Sequence, residues 1–385
     1  MWLIQNKKII NILKGERNMA TKNSFTFIGK IVPIKDTNDF KGYTETVYDS
    51  KWMTQKLRFN VVAGDNRHLV EINAGRWQDE KKNSVVYTYS RAKDGKSEPI
   101  QIPWDKRNDP SEIEKVAGYK VFTVDTDTYS NRKALKDAKD AEGLAASEKK
   151  RKHFIAGTDF IEWVNKVVNS DKIKDMIFKV QGSIEYSYNE KTGKYYSTYE
   201  VNKIYRAEDD TEPKSEANIH FYFTENFMDK ESVAEDGKAI LSGYTQFRDS
   251  KTKGDWFSPV ALVMRESNMD IVDGTEEVLS DFGDNEVCKA LLSCQVIDGA
   301  QKTDIKVTDL DEKTQKAIKL GLMDEKQAIR NAGGQAYGPK IQELRFNSIV
   351  KQSEATVFTA EDLTILPHIK EEEVDIFNDN DEDDI

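Results

Sequence analysis

The stretch Lys179 to Arg206, KVQGSIEYSYNEKTGKYYSTYEVNKIYR, restricts the fold more than any other. Val180, Gly182, Ile184, Tyr186 and Tyr188 share one parity, the period of a strand with one covered face. Asn189-Glu190-Lys191-Thr192-Gly193 is polar and ends on a glycine, which accepts the positive φ of a tight turn. The return, Lys194 to Tyr205, is rich in Tyr, Thr and Val, which suit a pleated, half-covered surface. The pattern predicts a long antiparallel hairpin. Its outer end carries Tyr186, Tyr188, Tyr195, Tyr196 and Tyr199, with Lys191 and Lys194 beside them. Rings and cations at a hairpin end suit single-stranded nucleic acid, because bases stack and phosphates need positive charge. They equally suit a Tyr-rich hairpin that covers its own sheet.

Upstream, Phe25 to Lys35 alternates apolar and polar around Gly29, where a strand interior would bulge or bend. Trp52 to Ala63 and His68 to Ala74 read as a hairpin turning at Gly64-Asp65-Asn66. Leu57, Phe59 and Val61 fall on one face, Lys56, Arg58 and Asn60 on the other, and Arg76 and Trp77 close the run. Trp52, Lys56, Arg58, Arg76 and Trp77 are therefore candidate nucleic-acid contacts, with packing and solubility as the plainer role for Trp and Arg at strand ends. Residues 78–155 interrupt the pattern. Val85 to Arg91 and Pro99 to Trp104 read as one more hairpin, and Ala117 to Val124 as a short strand. Asn131 to Lys152 reads as a solvated helix or a mobile insertion. Asp125-Thr126-Asp127 reads as a polar turn, not a metal pair. Asp159 to Ser170 is an amphipathic helix with Asp159 as its expected N-cap. Three strands, an insertion, a helix and two strands is the connectivity of an OB-fold, a five-stranded barrel.

The second half repeats the theme. Ile219 to Phe227, Ala239 to Phe247, Gly254 to Met264, Ala290 to Ile297 and Ile341 to Val350 read as strands. Asp311 to Asn331 reads as helix broken near Gly321. Gly243 and Gly254 are spaced like Gly182 and Gly193, and Trp256-Phe257 matches Tyr195-Tyr196. The match suggests a second long hairpin within a second OB-like domain, against two unrelated glycine-ended hairpins. Arg248, Lys251 and Lys253 make its tip basic, and with Trp256 and Phe257 they join the candidate contacts. The expected fold is mainly β with some α. An OB-fold-like five-stranded barrel spans 23–210 with its insertion at 78–155, and a second β-rich, OB-like domain spans 211–366.

Charge then bears on the ligand. The net charge is −11, yet residues 371–385 hold nine acids and no base, which leaves residues 1–370 at −2. A nearly neutral body permits local basic faces. The 367–385 tail is too acidic and too poor in apolar side chains to fold alone and is expected to be disordered. Cys288 and Cys294 fit no zinc spacing and read as buried small hydrophobes of a reducing compartment. No run of about 18 apolar residues is present to span a membrane. The four His residues are scattered, and no nucleophile elbow, HExxH, phosphate loop or dinucleotide fingerprint occurs. No enzyme, metal or cofactor is expected. Lys14-Gly15-Glu16 can be encoded by a bacterial ribosome-binding sequence, so Met19 is the expected start and residues 1–22 a translated leader or disordered.

The helix followed by FKVQGSIEYSYNEKTGKYYSTYEVNKI resembles the last part of the barrel in bacterial and phage single-stranded-DNA-binding proteins, and Phe25 to Ala74 is similar to its start. The resemblance covers about half of residues 23–206. It implies coating of single-stranded DNA in replication and recombination, in the cytoplasm of a bacterial host if phage-encoded. Lys, Asn and Ile usage suits a phage of an AT-rich bacterium. It also implies an acidic tail that recruits replication or recombination proteins, here through Ile376, Phe377, Asp383, Asp384 and Ile385. The tail departs from the bacterial pattern by ending Asp383-Asp384-Ile385 without Pro-Phe. The alternatives are an accessory protein acting through protein contacts and a viral structural protein.

Overall fold

The structure, a computed structural model, describes residues 22–79, 84–92, 96–249, 254–280, 286–304, 307, 310–331 and 335–367. The expected leader up to residue 21, Lys251, Lys253 and the 371–385 tail lie outside the described residues. The chain is mainly β. The first half holds β1 (Ser24–Pro33), β2 (Tyr43–Val47), β3 (Trp52–Ala63), β4 (Asn66–Trp77), β5 (Val85–Tyr89), β6 (Pro99–Pro103), β7 (Phe122–Asp125), β8 (Arg151–Phe154), β9 (Ile177–Asn189) and β10 (Lys194–Arg206). The second holds β11 (Lys214–Phe223), β12 (Met228–Asp229), β13 (Lys238–Arg248), β14 (Asp255–Arg265), β15 (Cys288–Asp304) and β16 (Gln335–Ala355). The helices used below are α1 (Tyr129–Asp137), α2 (Ala141–Glu148), α3 (Gly157–Val168), α4 (Met269–Leu279), α5 (Glu312–Lys319), α6 (Glu325–Asn331) and α7 (Ala360–Thr364). Among the described residues no helix is long and apolar enough to cross a membrane.

Five strands of the first half pair in a closed circuit. β1 pairs with β3, β3 with β4, β4 with β10 in parallel, β10 with β9, and β9 returns to β1. α3 lies between the third and fourth of these strands in sequence. Strand alternation sends Phe25, Phe27, Leu57, Phe59, Val70, Ile72, Val180 and Ile204 into one core, where α3 adds Phe160, Ile161 and Val164. Gly29 stands where β1 passes from β11 to β3, and a Cβ there would lie 2.1 Å from the Val62 carbonyl oxygen. Gly193 closes the β9–β10 turn at φ 63°, as the sequence predicts.

The second half repeats the circuit with β11, β13, β14, β16 and β15 in the places of β1, β3, β4, β10 and β9. β11 pairs with β13, β13 with β14, β14 with β16 in parallel, β16 with β15, and β15 with β11. α4 sits where α3 does. The glycine-spacing match therefore links hairpins that are not equivalent. β13–β14 takes the place of β3–β4, while β9–β10 corresponds to β15–β16. The two circuits join through their first strands, which run antiparallel with Ser24 opposite Asn218 and Ile28 opposite Lys214. Thr26 and Glu216 form the middle pair, so the halves are arranged about an approximate twofold axis.

The described residues of the insertion form strands and helices of their own. β5 and β6 form the expected hairpin over a small core of Ile102, Val116 and Ile155. β7 and β8 extend the main sheet beyond β10, and the Asn131 to Lys152 stretch holds most of α1 and all of α2. Asp125 accepts from Arg132 and Arg151, and Asp127 accepts from Ser147 and Asn131. Both acids thus tie the insertion together. Asp159 is not an N-cap: α3 begins after Ala156, and Asp159 instead accepts from Arg107 at 2.7 Å. Cys288 and Cys294 are free and buried, and burial pushes the Cys294 thiol up to about 12.

Candidate nucleic-acid interface

The outer face of β3 and β4 is built from the residues opposite in parity to the core. The register sets Trp52 opposite Trp77, Thr54 opposite Gly75, Lys56 opposite Asn73 and Arg58 opposite Glu71. A Cβ on Gly75 would lie 2.3 Å from Cζ2 of Trp52, so the glycine is what lets the indole lie across β4. Trp77 meets Trp52 edge to face at 5.1 Å between ring centres. β2 pairs along β3 and adds Thr44 and Thr46. Trp52, Thr54, Lys56, Arg58, Asn73 and Gly75 join these two threonines in lining an open groove of about 570 Å³.

The groove is basic, but one acid moderates it. Glu71 accepts from Lys56 at 3.1 Å and from Asn73 at 2.7 Å, and it lies 3.5 Å from Arg58. The Arg58 guanidinium sits 5.1 Å above the Phe40 ring and donates to the Lys41 carbonyl. One carboxylate therefore faces two cations and an aromatic floor. A neighbouring strand, β10, brings Glu200 beside Glu71, and its carboxyl is pushed up by burial and by Glu185. Neither Phe40 nor Glu71 was singled out by sequence reasoning. Glu71 becomes visible only once the turn at Gly64 fixes the register of β4 on β3.

A second groove, of about 720 Å³, begins on the far side of Trp77. Met53, Arg76, Trp77 and Gln78 line it from the first circuit, and Ser84, Trp104 and Asp105 from the insertion. Arg107 stacks on Trp104 at 4.2 Å while bound to Asp159. Sequence reasoning missed Trp104. The Trp104-Asp105-Lys106-Arg107 turn, with a cation three residues after the indole, is its available signal.

The β9–β10 hairpin divides its tyrosines. Tyr186 packs against the core, and burial raises its hydroxyl pKa. Tyr188 lies 4.9 Å from Tyr195, which meets Phe247 of the second half edge-on at 6.2 Å. These three rings are brought against protein. Tyr196, Lys191 and Lys194 are left in solvent at the tip.

The equivalent face of the second half is covered. Phe257 is only 4% exposed and lies 5.2 Å from Tyr222 and 5.0 Å from Phe358. Val287 and Leu363 complete the cluster. Leu363 arrives on α7, whose start is fixed by reciprocal Thr359 and Asp362 bonds and by the Ala360 amide donating to Glu286. Phe257 is thus a core residue, not an open stacking surface. Arg248 is exposed and lies 3.6 Å from Asp255, and Trp256 is half-buried beside Gly254. The structure does not bring this cluster together with the Trp52 groove.

Among the described residues no group of three or more His, Cys, Asp or Glu is placed to hold a metal ion. No family model and no curated protein matches the sequence. Among solved structures, a deletion variant of the single-stranded DNA binding protein from Thermus aquaticus is similar over 88% of this chain and 97% of that chain, at 9% identity and a TM-score of 0.32.

Proposed function

We propose that the chain binds single-stranded DNA along the β2–β3–β4 face, coating single strands in replication or recombination. The observation that carries this reading is the groove itself: Trp52, Lys56 and Arg58 line it, Trp77 packs edge to face on Trp52, and Phe40 lies under the Arg58 guanidinium. Indoles provide sequence-tolerant stacking, and the cations meet phosphates between bases. The two strand circuits are read as OB-type units, since each has five strands with a helix between the third and fourth. Boundaries at 23–210 and 211–366 follow from that reading. The chain acts as a binding protein of phage type, not as an enzyme, in the host cytoplasm. Its acidic tail recruits replication partners, with Ile376 and Phe377 as anchors and Asp383, Asp384 and Ile385 at its end.

Titration of dT oligomers against the parent and a W52A/W77A variant tests the reading. Each lost stack is expected to cost about 1–3 kcal/mol. Parent-like binding by a folded variant would move the site elsewhere, and a matched rU series reports the preference for DNA.

A further inference from the structure

We propose that the insertion carries a second single-strand surface, built from Tyr87, Tyr89 and Tyr119 around Lys120, which receives the strand as it leaves the Trp52 groove. The inference rests on the binding role proposed above.

β5 alternates so that Val86 packs inward with Ile100 and Ile102 while Tyr87 and Tyr89 face out. Tyr87 is 76% exposed, Tyr89 37% and Tyr119 47%. None of the three belongs to the hydrophobic clusters of the described residues. Tyr87 and Tyr89 are two residues apart on one face, about 6.6 Å along the strand. Same-face aromatics on sheet strands are a recurrent way to stack successive unpaired bases. Lys120 lies 5.6 Å from the Tyr89 ring and 5.7 Å from the Tyr119 ring, a cation held between two of the three stacking rings.

Continuity with the first groove selects the occupant. Trp77 is shared in function between the two faces: it touches Trp52 on one side and lines the 720 Å³ groove with Trp104 on the other. Ser84 lines that same groove, and its carbonyl accepts from the Trp104 amide next to the paired Val85 and Pro103 that begin the β5–β6 hairpin. The rings of Trp52, Trp77 and Trp104 therefore mark a route to the root of the β5–β6 hairpin, whose outward face carries Tyr87 and Tyr89. A flexible polyanion with stackable bases fits such a route.

The test compares dT oligomers of about 8 and about 30 nucleotides, the first within and the second beyond the reach of one OB unit, about 4–16 nucleotides. A Y87A/Y89A/Y119A variant is expected to lose at least about tenfold in affinity for the long oligomer. It should keep parent affinity for the short one, and the Y87F/Y89F/Y119F variant should restore long-oligomer binding. Equal affinity of parent and alanine variant at both lengths overturns the inference and leaves the Trp52 groove standing. Equal losses at both lengths also overturn it, because the tyrosines would then act through the first groove. Changed self-association with untouched DNA binding overturns it in favour of a protein contact. A parent that binds neither oligomer removes the proposed function, and the inference with it.

Discussion

If the first groove binds a strand as proposed, Glu71 sets how strongly it can hold a phosphate. Both Lys56 and Arg58 already face its carboxylate, so a phosphate must compete for them. Replacing Glu71 with Gln keeps an acceptor for Asn73 and removes the charge. We expect E71Q to bind dT more tightly at low salt and to steepen the salt dependence, by about 0.7 in slope per freed contact. An unchanged slope would mean that neither cation reaches the strand. His68 bears on stability instead. Its ring is fully buried, stacks on Phe27 at 4.0 Å and is bonded to Ser215 across the two halves at 2.7 Å. Burial lowers its pKa from 6.5 to about 4. Between those values the unfolded chain binds the proton and the folded chain does not. The contribution is thus complete above pH 6.5 and is lost as pH falls toward 4, on the order of 3 kcal/mol in total. Melting curves from pH 7 to 4 should show this decline, and a folded H68Q variant should show less of it. At this scale the outward run of Trp52, Lys56 and Arg58 was legible from alternation alone. Their counter-charge was not, because an opposing residue is defined by register.

The elements divide into those whose pattern announced them and those that the partner half defines. The β9–β10 hairpin was legible, and Tyr186 and Tyr188 even share parity with the buried Val180 and Ile184. What that parity faces was not legible, since Phe247 comes from a strand about fifty residues later. α4 was missed because Gly274 and four acids interrupt its apolar stripe, although Asn268 caps it. α7 was missed because five residues give no period to read. Yet α7 and Phe358 decide the fate of the second face. F257A and L363A should each cost stability, about 3–5 and 2–5 kcal/mol respectively, as buried large-to-small changes. Denaturant titration measures this. A weakened dT affinity in F257A with intact stability would show that the covered face touches DNA after all.

At the level of the molecule, the first circuit followed from strand order, because its hairpin turns are short and its helix is strongly patterned. The second did not, since β15 and β16 are separated by a segment containing α5 and α6. The glycine spacing pointed to the wrong pair of hairpins. Charge is also a whole-molecule matter. The nine acids of 371–385 follow α7 in the sequence, and we propose that they compete for the same cations as a strand would. Deleting residues 371–385 should tighten dT binding at low salt, leave the melting temperature nearly unchanged and abolish capture of replication partners. Unchanged affinity with an unchanged set of bound proteins would reduce the tail to a solubilising role. Finally, the β1–β11 seam has a consequence for how such a protein can change. A dimer of identical chains must repeat every substitution on both faces, so it cannot cover one face and keep the other open. Here one polypeptide supplies both halves of the sheet, and each half can vary alone. The indole-lined face and the face sealed by Phe358 and Leu363 are that freedom in use: a lasting division of labour inside a near-symmetric frame.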